Sequence, residues 1–368
     1  MKAILQIFTG GWKNANYTAL EILGRLEEIT AMMPVEKVIL GWRPDPALYR
    51  QVGEFLARRN IGMLLWLPVL SEIGEWAPAD PALDLWGRPI SVPDLLEGES
   101  FSFCCPTSPR NQALVRELFQ SAFADCGFTG VFLDRIRTHS FVGGVPGVLS
   151  CGCPSCRAAY ARHGVELPEV AEAYERLGDR FFDLASDGVR APLAFSQPPA
   201  QAFFRAKAAI LEEQVGALCD GFHRRGLEVG LDLFAPTASL LVGQDYPLLA
   251  RHADFIKPML YRRTNAPAGM VYEGALWRRH APGYQGLPAL TPDNALLRNQ
   301  IRQMEGLPCR NYPGIEVNYR ADVAPTDPDY IRESLAVLEE EGCDGAVLAW
   351  DVMLAPREHL QAIGECLG

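Results

Sequence analysis

The sequence lacks any apolar run approaching the roughly 18–20 residues a membrane-spanning helix needs, which sets aside a helical membrane protein. It also lacks a basic cluster: 34 Lys and Arg against 45 Asp and Glu leave a net charge of -11. Phosphate backbones call for a basic surface, so nucleic acid is not an expected partner. Histidine is scarce, and the six, at positions 139, 163, 223, 252, 280 and 359, form no H-x-H or H-E-x-x-H pattern. Such a pattern would aim two imidazoles at one ion, so a metal-dependent barrel hydrolase or lyase is disfavoured. Beyond Gly10-Gly11 no glycine-rich phosphate turn follows an early strand, which weakens an open nucleotide-binding sheet. No repeat, low-complexity tract or linker composition divides the chain, and its first residues read as a strand, not a targeting segment. The expectation is a cytoplasmic protein with one domain over residues 1–368.

What the sequence does contain is a series of short apolar runs, each ending in polar or aromatic residues. They are Ala3–Phe8, Lys37–Leu40, Gly62–Leu67, Gly130–Leu133, Glu228–Leu231, Phe255–Tyr261, Gly314–Val317 and Gly345–Asp351. Amphipathic stretches lie between them, including Tyr17–Met32, Asn111–Cys126, Phe203–Arg225 and Asp329–Glu341. Alternation of strand and helix predicts a parallel sheet, and eight repeats predict its closure into an α/β (β/α)₈ TIM barrel. Two connections are long. Residues 68–108 follow strand three, and residues 138–200 follow strand four as an insertion, helical over Ser155–His163 and Pro168–Asp187. Loops after barrel strands build the active face, so these two are candidate functional segments.

Four acids fall at or near the C-terminal ends of predicted strands: Asp134, Asp232, Glu316 and Asp351. In a closed barrel these positions converge on one bowl, and paired carboxyl groups are what glycosidic hydrolysis requires. An Asp at a strand end also serves as a helix N-cap or an arginine partner, so each has a structural alternative. Trp12, Trp42, Trp66, Tyr261 and Trp350 lie near strand ends too, and aromatic planes stack on the apolar faces of sugars. Arg137, Lys257 and Arg262 supply donors beside them.

Of ten cysteines, Cys126, Cys219, Cys343 and Cys366 read as small buried hydrophobes. Cys151-Gly-Cys153-Pro-Ser-Cys156 is different, because its spacing brings three thiolates to one ion. A fourth from Cys105 or Cys104 would complete a tetrahedral, structural zinc site that staples the two long loops together. A disulfide or free thiols are the alternatives. No organic cofactor is expected.

The segment Cys105-Pro-Thr-Ser-Pro109, followed by Cys151-x-Cys153-x₂-Cys156 after the strand-four carboxylate, resembles the cysteine zinc cluster of family 42 glycoside hydrolases, the β-galactosidases. That resemblance implies a clan A barrel with its acid/base after strand four and its nucleophile after strand seven. Carried onto this chain, Asp134 takes the acid/base position and Glu316 the nucleophile position. Where that family has Asn-Glu, this sequence has Leu133-Asp134. The segment Gly127–Arg137 resembles instead the D-x-I-R strand of hypothetical glycosyl-hydrolase-like barrel families, which matches Asp134 with Arg137; Asp254–Tyr261 is similar to their strand six. The expected function is hydrolysis of a small or oligomeric glycoside by Asp134 and Glu316. Asp232, Asp351, Arg137, Lys257, Tyr261, Trp350, Trp12 and Trp66 would bind the carbohydrate. The alternative is a carbohydrate-binding barrel without catalysis. A homo-oligomer is compatible with either.

Overall fold

The apolar runs form strands too short to stand alone, and each is buried on both faces. In the computed structural model, which describes residues 1–12, 14–93, 101–283 and 290–368, they close a ring. The strands are β1 (Lys2–Ile7), β2 (Val35–Leu40), β3 (Gly62–Pro68), β4 (Gly130–Asp134), β5 (Glu228–Phe234), β6 (Phe255–Met259), β7 (Gly314–Glu316) and β8 (Gly345–Ala349). Each pairs in parallel with the next, and β8 pairs back onto β1. This is the expected closed (β/α)₈ barrel. Its thin seam lies between β6 and β7, where only Gly314 pairs with Met259. Arg310–Asn311 pairs with Phe255 and Ile256 in the same register just before it. Pro258 and Pro313 have no N–H to donate, which explains why the ladder is broken there.

Alternation along the strands sorts residues between two cores. Leu5, Ile7, Leu65, Val131, Leu133, Leu231 and Ile256 pack outward under the helices. Ile4, Ile39, Leu64, Trp66, Phe132, Phe234, Phe255 and Val347 fill the barrel interior. Phe132 and Phe255 stack with ring centroids 6.1 Å apart. Gly230 is required beside them, since any Cβ there would run into the Phe255 ring. Helices begin at polar caps where the loops leave the barrel: Thr18 makes a capping box with Glu21, and Asp45, Ser108, Asp293 and Asp327 each cap a following helix.

The long connection after β4 is folded, with helices Pro154–Arg162 and Leu167–Leu177 leading to the helix Pro198–His223. The second of these stops ten residues short of the expected Asp187, because Gly178 adopts φ 57 and breaks the helix. Leu184–Ser186 then pairs antiparallel with Ala194–Phe195. The connection packs through Phe181, Phe182, Phe203 and Phe204. The buried Lys207 ammonium joins two loops of the active face, donating to the carbonyls of Val148 (2.6 Å) and Leu241 (3.1 Å). Among the described residues no helix is long and apolar enough to cross a membrane.

Candidate active site

β4 and β5 pair with Leu133 opposite Leu231, so the next residues, Asp134 and Asp232, are lateral neighbours. Asp232 in turn lies opposite Lys257 on β6. All three have the inward parity of Phe132, Phe234 and Phe255, which puts one row of charge across three adjacent strands. Above this row a cavity opens at the C-terminal ends of the strands. Asp134, Asp232, Arg135, Arg137, Gln6 and Trp66 line it, along with Phe101, Phe234, Met259, Tyr261, Thr264 and Trp350.

The two aspartates sit in unlike surroundings. Asp134 Oδ2 accepts the indole N–H of Trp66 at 2.8 Å, and Oδ1 accepts the backbone N–H of Arg135. The Arg135 guanidinium stands 3.7 Å from the same carboxylate. Asp232 is fully enclosed. Its Oδ2 accepts from Lys257 at 3.0 Å, while Oδ1 has no hydrogen-bond partner. Burial pushes the Asp232 carboxyl up to about 7, against the pull of Lys257 and with the help of the Asp134 charge. Lys257 also donates to the Tyr261 hydroxyl at 2.6 Å. The arrangement therefore joins a carboxylate held by donors to a neighbouring carboxyl that keeps its proton near neutrality.

Arg135 and Arg137 follow Asp134 on a turn in which Arg135 adopts φ 55, an uncommon conformation for a residue with a side chain. The Arg135 guanidinium covers the Phe101 ring at 4.5 Å. Arg137 is clamped between the rings of Phe103 and Phe234, at 4.3 and 4.4 Å, and donates to the Thr138 carbonyl. Burial and the neighbouring Arg135 lower it to about 9, so it stays charged at neutral pH.

Four of the expected site residues stand outside the cavity lining. Glu316 does not line the cavity, although it ends β7. Its Oε1 accepts from the backbone N–H groups of Arg263 (2.8 Å) and Thr264 (3.0 Å) and from the Thr264 hydroxyl (3.1 Å). Its Oε2 accepts from the Tyr330 hydroxyl. The carboxylate is spent on protein donors and has no exposed surface. Asp351 likewise caps the turn Val352–Leu354, accepting from Met353 N at 3.1 Å and from the Tyr17 hydroxyl at 2.9 Å. Burial pushes its carboxyl up to about 7. Trp12 packs against both cores, and Lys257 lies beneath the cavity wall; neither lines the cavity. Asp134, Asp232, Arg137, Tyr261, Trp66 and Trp350 do come together.

Gln6 and Arg135 were not anticipated as site residues. Gln6 carried a readable signal, a polar residue at an inward position between Leu5 and Ile7. Arg135 carried none, because its backbone angle is invisible in sequence.

The four cysteines 105, 151, 153 and 156 bring their sulfurs within 4.8 Å of one another. Cys105 Sγ is 3.3 Å from Cys153 Sγ and 3.6 Å from Cys156 Sγ. These separations far exceed a disulfide bond of about 2.05 Å. They approach the edge of about 3.8 Å for a tetrahedron with metal–sulfur bonds of about 2.3 Å. Backbone N–H groups of Leu83 and Cys156 donate to the Cys151 and Cys153 sulfurs at 3.4 Å. The donor set therefore fits a tetrathiolate metal site. Cys104 packs instead in the outer core, where burial raises its thiol to about 12, so Cys105 is the fourth member.

No family model and no curated protein matches this sequence, and the family 42 likeness gains no support there. Solved structures do share its shape. The PgaB (BpsB) glycoside hydrolase domain from Bordetella bronchiseptica is 16% identical, covers 100% of this chain and 99% of its own, and has a TM-score of 0.64. The alpha-L-fucosidase isoenzyme 2 from Paenibacillus thiaminolyticus is 11% identical over 100% of this chain and 48% of its own, with a TM-score of 0.59. The Group IV chitinase of Ostrinia furnacalis is 10% identical over 100% of both chains, with a TM-score of 0.51. At such identities the likeness establishes the fold, a barrel that glycoside hydrolases share.

Proposed function

We propose that the chain is a glycoside hydrolase whose working pair is Asp134 and Asp232. The observation that carries this reading is their position as lateral neighbours in one cavity, one carboxylate held by donors and the other keeping its proton. In the proposed first step an Asp134 oxygen bonds to the anomeric carbon. The glycosidic C–O bond breaks, and the leaving oxygen takes the proton of Asp232. Water then attacks the glycosyl–Asp134 ester, giving its proton back to Asp232 and freeing the Asp134 carboxylate. Neighbouring parallel strands are about 4.8 Å apart. That supports the separation of about 5–5.5 Å used by retaining enzymes over the wider gap of inverting ones. Trp66 and Arg135 would hold the Asp134 carboxylate in place for that attack. Trp350 and Tyr261 would face the sugar, and Arg137 would donate to it. With Asp232 as the acid, activity falls as pH rises through about 7.

Asp134→Asn and Asp232→Asn test the reading against a panel of 4-nitrophenyl glycosides. Each is expected to lower kcat by about 10²–10⁴-fold. Added azide should rescue Asp232→Asn more than Asp134→Asn if Asp134 is the nucleophile. Unchanged rates in both variants would refute the pair. Tight sugar binding with no turnover by the unaltered chain would favour a carbohydrate-binding barrel.

We further propose that Cys105, Cys151, Cys153 and Cys156 hold a structural zinc ion. Four thiolates leave no open position for a substrate, so the ion would brace the loops after β3 and β4. Phe103, two residues from Cys105, donates its N–H to His139 Nε2 at 3.2 Å and covers Arg137, so the brace would reach the cavity wall.

A further inference from the structure

Gln6 is a glutamine with no exposed surface, and neither its amide oxygen nor its amide nitrogen has a partner. Leaving both ends of a buried amide unpaired is costly, and native structures rarely do so without a function. Its neighbours cannot absorb the cost. Gln6 lies between Ile39 of β2 and the β8 strand, whose inward residues Val347 and Ala349 are apolar. The side chain lines the same cavity as Asp232, whose Oδ1 is also buried and unpartnered. β1 and β5 are the first and fifth strands of an eight-strand ring, so these groups stand on opposite walls. Three unpaired polar atoms thus face one space from both sides: the two ends of the Gln6 amide and Asp232 Oδ1.

We infer that Gln6 is a specificity-determining sugar-binding residue, which accepts from and donates to ring hydroxyls of the unit held between β1 and β5. This rests on the carbohydrate reading of the cavity and adds the group that selects among sugars. A hydroxyl both donates and accepts, so it matches an amide with both ends free. A carboxylate or phosphate would satisfy Nε2 and leave Oε1 facing an anion. The substrate unit is therefore neutral at this point. Asp232 Oδ1, across the ring, lies toward the glycosidic oxygen, so the Gln6 contact falls on the part of the sugar remote from the bond cleaved.

The test uses Gln6→Met, which keeps the length and removes both polar ends. Rates are measured on 4-nitrophenyl hexopyranosides and their monodeoxy analogues, alongside calorimetric binding of the free hexoses. For the best hexoside, one deoxy position should cost the unaltered chain about 10–100-fold in kcat/KM. Gln6→Met should lose a similar factor on the parent sugar and show almost no penalty for that same deoxy position. Gln6→Glu, which keeps an acceptor and loses the amide donor, should recover only part of the loss. An equal loss on every analogue, or none on any, would overturn the inference and leave the glycosidase reading standing. Sugar binding that weakens in Gln6→Met without any turnover would uphold the inference and overturn catalysis. Absence of both binding and turnover would overturn both. Thermal unfolding of Gln6→Met checks that the fold is intact.

Discussion

The β4–β5 wall and the β7–β8 wall of the barrel each present two acids near their strand ends, and they use them in opposite ways. On the first wall Asp134 and Asp232 face the cavity, and Asp232 keeps an unspent oxygen. On the second, Glu316 accepts from four protein donors and Asp351 caps a turn while holding the Tyr17 hydroxyl. The difference lies in the segments packed around each strand end. Around the end of β7, the loop from β6 and the helix Pro328–Glu340 bring N–H and O–H groups to the carboxylate. After β4, the chain makes a strained turn through Arg135, whose backbone N–H donates to Asp134 while that carboxylate still lines the cavity. Position at a strand end makes an acid available; the partners around it decide whether it stays so.

The largest expected effect that would break this comparison is the loss of turnover in Asp134→Asn and Asp232→Asn, set against Glu316→Gln. Glu316→Gln should change kcat by roughly threefold at most. A collapse of kcat in Glu316→Gln at unchanged stability would restore the strand-seven nucleophile that the family resemblance implies.

Next in size is the brace beside the first wall. Chelation, or Cys151→Ala, should remove one metal ion per chain by elemental analysis and destabilise the fold by about 4 kcal/mol or more. No metal in a chain purified without chelator, with four titratable thiols at the cluster, would remove zinc from the account.

Glu316→Gln should itself cost about 2–3 kcal/mol in urea unfolding, since an amide offers one acceptor where the donors meet two. An unchanged midpoint would show that the four bonds add little.

The smallest effect separates the walls by pH. Asp351 and Asp232 both have folded values near 7, raised from 3.8 by burial, so the folded state prefers their protonated forms. Their contribution is fully present below about pH 4 and is lost as pH rises through about 7. Asp351→Asn should remove part of that slope, on the order of 2 kcal/mol between about pH 5 and pH 8, while leaving kcat intact. A loss of activity in Asp351→Asn would return Asp351 to the site.

Much of this molecule was readable before folding. Apolar runs spaced by amphipathic segments specify eight parallel strands, because strands buried on both faces and helices buried on one have unlike periods. The Cys151–Cys156 spacing gathers three thiols in one short segment, the pattern of a candidate metal site. Inward parity in β4 and β5 marks Asp134 and Asp232. Tertiary structure alone decided the rest. It chose Cys105 over its neighbour Cys104, which points into the opposite core. It withdrew Glu316 and Asp351 from the bowl by supplying donors from segments distant in sequence, such as Tyr330 and Tyr17. It also set Gln6 across the ring from Asp232, a pairing of residues 226 positions apart. Periodicity is a local property that the chain carries with it, whereas the satisfaction of a buried polar group depends on which partners the fold brings within about 3 Å.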